Sequence, residues 1–247
     1  MHVFHFGLDD GLFGSYTPPA SGKAEAVVVL CYPFGQEYMR AHRAFRQVAL
    51  LLGRRGVGVL RFDYWATGDS AGDGRKVGLR RWVEDVRTAM AEARRRAQVE
   101  RVRLGGLRLG SALAVLAAEG CPEVERLVLW DPVVRGSRFV EELSRDASPR
   151  IGSTWWVHGF PVPETLRGGL ETIDLCSVPY PRDAEIVQMV SHSNRDFAAL
   201  AEVLTEHPGS AQTRLVPSPS DWNYSDDVGG ILIPREMVRG VVDALAA

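Results

Sequence analysis

The chain is expected to form one α/β domain around a mostly parallel, doubly wound sheet, and three features of its sequence carry that expectation. Four apolar runs, AVVVLCYP (26–33), VGVLRFD (57–63), RVRLGGL (101–107) and RLVLWDP (126–132), are continuous rather than alternating, as in strands buried on both faces of a parallel sheet. Between them lie helical stretches at 37–54, 78–97 and 109–119; in the first, Met39, Phe45, Val48, Ala49 and Leu52 fall on one side. Strand and helix alternating in this way require right-handed crossovers, and 247 residues suit a single domain spanning 1–247.

Ahead of the first buried run, HVFHF and LFGSYTP alternate apolar with small or polar residues around GLDDG, the pattern of an N-terminal antiparallel hairpin. After the sixth strand the rhythm breaks. Residues 133–184 carry Gly, Pro and the pair Trp155-Trp156 with two short helical patterns but no buried strand, so they are expected to form a lid over the strand ends. The α/β pattern resumes with AEIVQMVS (184–191), a helix near 194–206, TRLVP (213–217) and an amphipathic helix from Pro234 to Ala246.

Hydrophobic residues make up 45% of the chain and charged residues 24%, the balance of a soluble globular protein, and a formal net charge of -2 gives no electrostatic reason for a nucleic-acid partner. The basic cluster Arg94-Arg95-Arg96 sits among acidic residues, as on any solvated helix face. No apolar run approaches the roughly 20 residues of a bilayer span. The start, MHVFHFGLDDGLFG, lacks a cationic segment followed by a long apolar one, so a cytoplasmic protein without membrane contact is expected. Cys31, Cys121 and Cys176 offer neither an even disulfide framework nor paired metal-ligand spacing; reduced thiols, no metal and no cofactor are expected.

The stretch LGGLRLGSALAVLAAEG (104–120) has the shape of a strand, a tight turn and a helix. Within it, Gly106-Leu107-Arg108-Leu109-Gly110 matches the Gly-x-Ser-x-Gly spacing of the strained turn that presents a nucleophilic serine, with arginine in the serine position. RFDYWATGDSAG (61–72) looks like the Asp-x-x-Gly-x-Gly-x-Ser loop after a fourth strand, and Trp82 with Asp85 resembles the helix that follows it. Together with the element order, these stretches resemble the α/β-hydrolase superfamily over nearly the whole chain. CYPFGQEYMRAHR (31–43) and GLRLG look closest to a bacterial branch related to serine aminopeptidase and exosortase-associated hydrolases. The fold this implies is an α/β-hydrolase sheet with an N-terminal antiparallel hairpin and a lid after strand six.

The resemblance implies three catalytic roles: an oxygen nucleophile, an imidazole to take its proton and an acid to orient the imidazole. Arg108 cannot be the nucleophile, because its guanidinium stays protonated at physiological pH. The family's histidine belongs near PSPSDWNYSDD (217–227), yet no histidine follows His207. Asp131 or Asp196 could fill the acid position. Ser111 lies three residues beyond the elbow, roughly 300° around the helix from Arg108, and is expected to face the sheet as a packing residue. Cys31 is read as a buried strand residue, His192 and His42 as the imidazoles nearest the crevice, and His158 as part of the lid.

What survives is the anion-binding machinery that the resemblance assigns to the amide of Leu109 and that of Phe34 or Gly35, since Pro33 has no N–H. Arg108 adds a positive charge at a helix N-terminus. It reads in two ways: paired with Asp131 as a structural plug, or pointing into the crevice as a carboxylate anchor. Tyr38, His42, Trp65, Trp155, Trp156, Phe160, His192 and Trp222 are the candidate ligand-pocket residues, some of the aromatics being ordinary core. A hydrolase fold without serine and histidine and with an aromatic cavity is similar to the bottromycin-epimerase group. That similarity implies substrate-assisted epimerisation of an aspartate in a hydrophobic modified peptide or natural product. Two other readings stand beside it. One is a hydrolase, thioesterase or acyltransferase using relocated groups; the other is a non-catalytic protein that presents a ligand to a biosynthetic partner enzyme.

Overall fold

A computed structural model of the chain describes residues 1–151, 153–222 and 233–247. The strands are β1 (His2–Phe6), β2 (Leu12–Thr17), β3 (Ala26–Cys31), β4 (Val57–Phe62), β5 (Val102–Leu107), β6 (Val124–Trp130), β7 (Ala147–Ile151), β8 (Thr154–Val157), β9 (Phe160–Val162), β10 (Glu185–Val190) and β11 (Ala211–Leu215). The helices are α1 (Gln36–Arg54), α2 (Leu79–Ala97), α3 (Leu109–Ala118), α4 (Gly136–Arg145), α5 (Glu164–Glu171), α6 (Arg195–Thr205) and α7 (Arg235–Ala246). Eight strands form one sheet in the order β1-β2-β4-β3-β5-β6-β10-β11. The hairpin β1–β2 and its junction with β4 are antiparallel, and the remaining pairings are parallel. The sheet is that of an α/β-hydrolase.

The continuous apolar runs become strands because helices cover both faces. Every residue of β3 and β4 is buried. β3 lies between β4 and β5, so the right-handed crossovers through α1 and α2 leave in opposite directions and place those helices on opposite faces. α7 packs against α1, and α3 packs against α2. The strand order reverses at β3, which opens a crevice at the strands' carboxyl ends between the loops after β3 and β5.

The segment between β6 and β10 departs from expectation, because it contains a three-stranded antiparallel sheet, β7-β8-β9, as well as the helices α4 and α5. These strands are short and partly exposed, with Thr154, Trp155 and Trp156 all half-buried, so no continuous apolar run marks them. A two-residue turn joins β8 to β9, and His158 and Gly159 both take positive φ, 50° and 88°. That is the backbone twist a tight hairpin needs, and His-Gly was its one local signal.

The turn between β5 and α3 keeps the strained form of a nucleophile elbow. Arg108 has φ 53° and ψ -118°, a region costly for a side chain with a Cβ. Neighbouring backbone clamps it: Arg108 N–H donates to the Trp130 carbonyl at 3.0 Å, and Val133 N–H donates to the Arg108 carbonyl at 3.2 Å. The flanking glycines are there for space. A Cβ on Gly110 would lie 2.1 Å from the Cys31 carbonyl oxygen, and one on Gly106 would lie 2.4 Å from Ser111 N. The motif's glycines therefore serve the close crossing of α3 over β3 and β5, whatever residue sits between them.

Gly110→Ala is expected to cost about 3 kcal/mol or more, because the obstructing atoms are backbone and cannot swing away. A denaturant melt checks this, and a stability unchanged within 0.5 kcal/mol of wild type, roughly the scatter of neutral substitutions, would refute it.

Candidate functional site

The elbow places the Arg108 side chain at the floor of a polar cavity of about 260 Å³. Its guanidinium is not free. Nε donates to Glu37 Oε1 at 2.9 Å, and Nη2 donates to Glu142 Oε2 at 2.5 Å. Glu37 comes from the first turn of α1 and is buried, whereas Glu142 on α4 is half-exposed. Burial opposes the Arg108 charge, but the two carboxylates outweigh it and hold its pKa above the ordinary value. Burial pushes the Glu37 pKa up, with Arg108 pulling against it. The bridge ties together α1, the turn after β5 and α4.

Neither reading of Arg108 gave its partners, for Asp131 is not one of them. Asp131, with φ 41°, sits at the end of β6 and is buried. Its Oδ1 accepts from Ser191 N–H at 2.7 Å and from Ser191 Oγ–H at 3.0 Å. Ser191 Oγ lies 3.0 Å from His192 Nδ1. Asp131 and His192 are thus joined through a serine just after β10, and all three lie at the carboxyl ends of neighbouring strands. Burial raises the Asp131 pKa, opposed by the bonds from Ser191. Asp196 is committed elsewhere, to Arg138 at 2.9 Å and Arg135 at 3.5 Å. His192 and Trp222 line this polar cavity. Trp222 is buried with its ring edge-on to Trp130, 5.5 Å between centroids. Residues 223–227 of the stretch where the family places its histidine lie outside the described residues.

On the other side of the elbow lies an apolar cavity of about 200 Å³, lined by Phe34, Gly35, Tyr38, Trp82, Leu109 and Phe160 among others. Phe160, from the lid strand β9, packs edge-on to Phe34 at 6.1 Å. The loop Tyr32-Pro33-Phe34-Gly35 turns into α1 at Gly35, whose φ of 64° suits glycine. Among the described residues, the N–H groups of Phe34, Gly35 and Leu109 donate no hydrogen bond, and the last stands at a helix N-terminus where intrahelical partners are lacking. The structure therefore separates what the sequence reading had joined. Arg108 faces the polar cavity, and the amide-bearing residues line the apolar one.

Other candidates lie elsewhere. Ser111 is fully buried and donates to the Gly106 carbonyl at 2.6 Å. Cys31 is fully buried, and burial pushes its thiol up to about 12. Trp65 packs against Gly11 and Gly72 beneath the Arg81 guanidinium, 4.3 Å from the ring centroid. Trp155 lies under Arg167 at 4.4 Å, and Trp156 shares the strand β8; neither lines the two cavities beside the elbow. His42 stacks on Tyr32 in a third cavity, which Tyr38 also lines. Among the described residues, no cluster of three or more His, Cys, Asp or Glu is placed to hold a metal ion, and no helix is long and apolar enough to cross a membrane.

The sequence profile of the family described as serine aminopeptidase, S33 matches residues 22–202. The chain belongs to that family. A comparison with curated protein sequences finds no match. Among solved structures, this S33 member is similar to Est1E from Butyrivibrio proteoclasticus with ferulic acid bound (TM-score 0.70, 14% identity, 96% of each chain covered). It is also similar to the α/β-hydrolase GrgF from Penicillium sp. sh18 (TM-score 0.67, 16% identity, 100% of this chain and 99% of that one). A third likeness is to α/β-hydrolase domain-containing protein 10 from mouse (TM-score 0.60, 13% identity, 100% and 96% covered). At these identities the likeness is one of fold.

Arg108→Met in this S33 member would strand Glu37 as a buried charge, an expected loss of roughly 3–5 kcal/mol at neutral pH. Removing the cation raises the Glu37 pKa further. A carboxyl with a raised folded-state pKa keeps its stability below its ordinary value of 4.5 and loses it as pH rises. The deficit should therefore shrink as pH falls from 7 towards 4.5, and Arg108→Met/Glu37→Leu should be more stable than Arg108→Met alone. Urea melts across that range check both; a deficit independent of pH would contradict the buried pair.

Proposed function

We propose that this S33 member is non-hydrolytic and binds a hydrophobic small molecule or modified peptide through a carbonyl or carboxylate group, in the apolar cavity beside the elbow. The observation that carries this reading is the guanidinium at the nucleophile position, fixed by Glu37 and Glu142. A cation saturated by two carboxylates neither attacks a carbonyl nor accepts a proton. The nearby alternatives, Ser111 and Cys31, are fully buried. The amides of Phe34, Gly35 and Leu109 suit a developing oxyanion, and the apolar walls suit the rest of the ligand. No imidazole or free carboxylate lines that cavity among the described residues, so a proton transfer in it needs a base carried by the ligand. Epimerisation at the Cα of an aspartate, with the substrate's own carboxylate as base, satisfies that need. Positioning then supplies the rate enhancement.

Hydrolysis by relocated groups is the second reading. GrgF by name and the family by description are hydrolases, and His192 with Asp131 offers an imidazole and an acid. It lacks an accessible oxygen or sulfur nucleophile at the elbow.

Ferulic acid, a hydrophobic carboxylate, is a convenient first probe. It is expected to raise the Tm saturably, and Phe160→Ser is expected to weaken binding about tenfold through lost apolar contact. Aspartate-containing hydrophobic peptides in D₂O are expected to gain deuterium at Cα without ester or amide cleavage. Turnover of an activated ester that disappears in Ser111→Ala or Cys31→Ala would overturn the proposal.

A further inference from the structure

Away from the elbow, the fold buries an arginine without a counter-ion. Arg61 stands on β4 and is 5% exposed. Its partners are neutral: Nη1 donates to the Tyr32 hydroxyl at 3.0 Å, and Nη2 to Ser15 Oγ at 3.2 Å and to the Met1 thioether at 3.6 Å. Its Nε is buried and unpartnered. The other well-covered arginines differ: Arg103 pairs with Glu125, Arg108 with Glu37 and Glu142, and Arg126 with Glu185. Arg61 pairs with no carboxylate among the described residues. Guanidinium cannot shed its proton to escape the interior, and an uncompensated buried charge is strongly unfavourable.

The surroundings carry charge of both signs. His42 and Arg46, one turn apart on α1, line with Arg61 a cavity of about 210 Å³. Burial and then the Arg61 charge hold the His42 pKa below its ordinary value, with Arg46 and Arg43 adding to the effect and Asp63 opposing it. Asp63 and Asp69 also line the cavity and set negative charge against it, although Asp63 spends both its oxygens on neutral donors and not on Arg61. Oδ1 accepts from the Tyr38 hydroxyl at 2.9 Å, and Oδ2 accepts from Asp69 N–H at 3.0 Å. Val3, Phe13 and Phe62 give the remaining wall an apolar character.

We propose that this cavity between α1 and the N-terminal hairpin binds a small oxyanion, a carboxylate or a phosphate, with Arg61 as the counter-charge at its floor and Arg46 at its rim. Nη1 carries a second N–H beyond the one given to Tyr32, and one oxygen of either group suits it as an acceptor. The site has its own cation, distinct from Arg108, and shares Tyr32 and Tyr38 with the apolar cavity beside the elbow.

Wild-type protein is titrated with sodium acetate and with sodium phosphate at constant ionic strength set by chloride, following Tm and heats of binding. At least one oxyanion is expected to stabilise saturably beyond chloride, and the comparison of the two distinguishes carboxylate from phosphate. Arg46→Gln, at an exposed position, is expected to weaken that binding several-fold. Arg61→Met is expected to abolish it while leaving the anion-free protein no less stable than wild type, since a buried charge is often replaced by an apolar group without loss. Arg108→Met should leave it unchanged, which separates this site from the elbow. The proposal is overturned if neither oxyanion exceeds chloride, or if the stabilisation persists in Arg46→Gln and Arg61→Met. Should Arg61→Met fail to fold, wild type and Arg46→Gln decide.

Discussion

The ion triad Glu37–Arg108–Glu142 is the interaction on which the functional end of the molecule depends. It sits on a strained turn of the sheet and joins three elements: α1, the turn after β5 and α4. Glu37 is buried, so its charge is tolerable only with the guanidinium beside it. The same guanidinium occupies the place of a nucleophile.

The elbow keeps its form without a serine because its geometry has other causes. Gly106 and Gly110 are small because backbone passes within reach of their missing Cβ atoms, and the Arg108 backbone is clamped from the end of β6. Those constraints concern the packing of α3 on the sheet. They also leave the Leu109 amide at a helix N-terminus, beside an apolar cavity that the lid strand β9 helps to close. An apolar cavity beside the Leu109 amide thus follows from the packing of the fold.

The sequence disclosed the buried architecture well, because burial on both faces leaves a mark that needs no partner: AVVVLCYP and VGVLRFD could hardly be anything but interior parallel strands. The lid sheet left no such mark, since Trp155 and Trp156 lie on a short, half-buried strand and only the His158-Gly159 turn hinted at a hairpin. The elbow was legible from its glycines, but the company of Arg108 was not. Glu37 lies 71 residues away and Glu142 34, each on a helix whose pattern gives no sign of an inward-facing acid. Aromatic residues misled in the opposite direction. Trp65 and Trp155 carry arginines on their faces rather than lining the crevice, because a large ring near a loop is as useful for covering backbone as for binding a ligand.

The molecule handles its interior cations in two ways: Arg108 is neutralised by the chain's own carboxylates, while Arg61 is left with hydroxyls and a thioether. The central claim concerns the first of these, that the elbow holds a fixed charge and no nucleophile. The most direct measurement is the intact mass of the folded wild-type protein after incubation with a fluorophosphonate, beside a serine hydrolase as positive control. An unmodified mass is the result expected. A stoichiometric single adduct, formed by the folded protein and lost on prior denaturation, would contradict the account and put an activated hydroxyl back into the site.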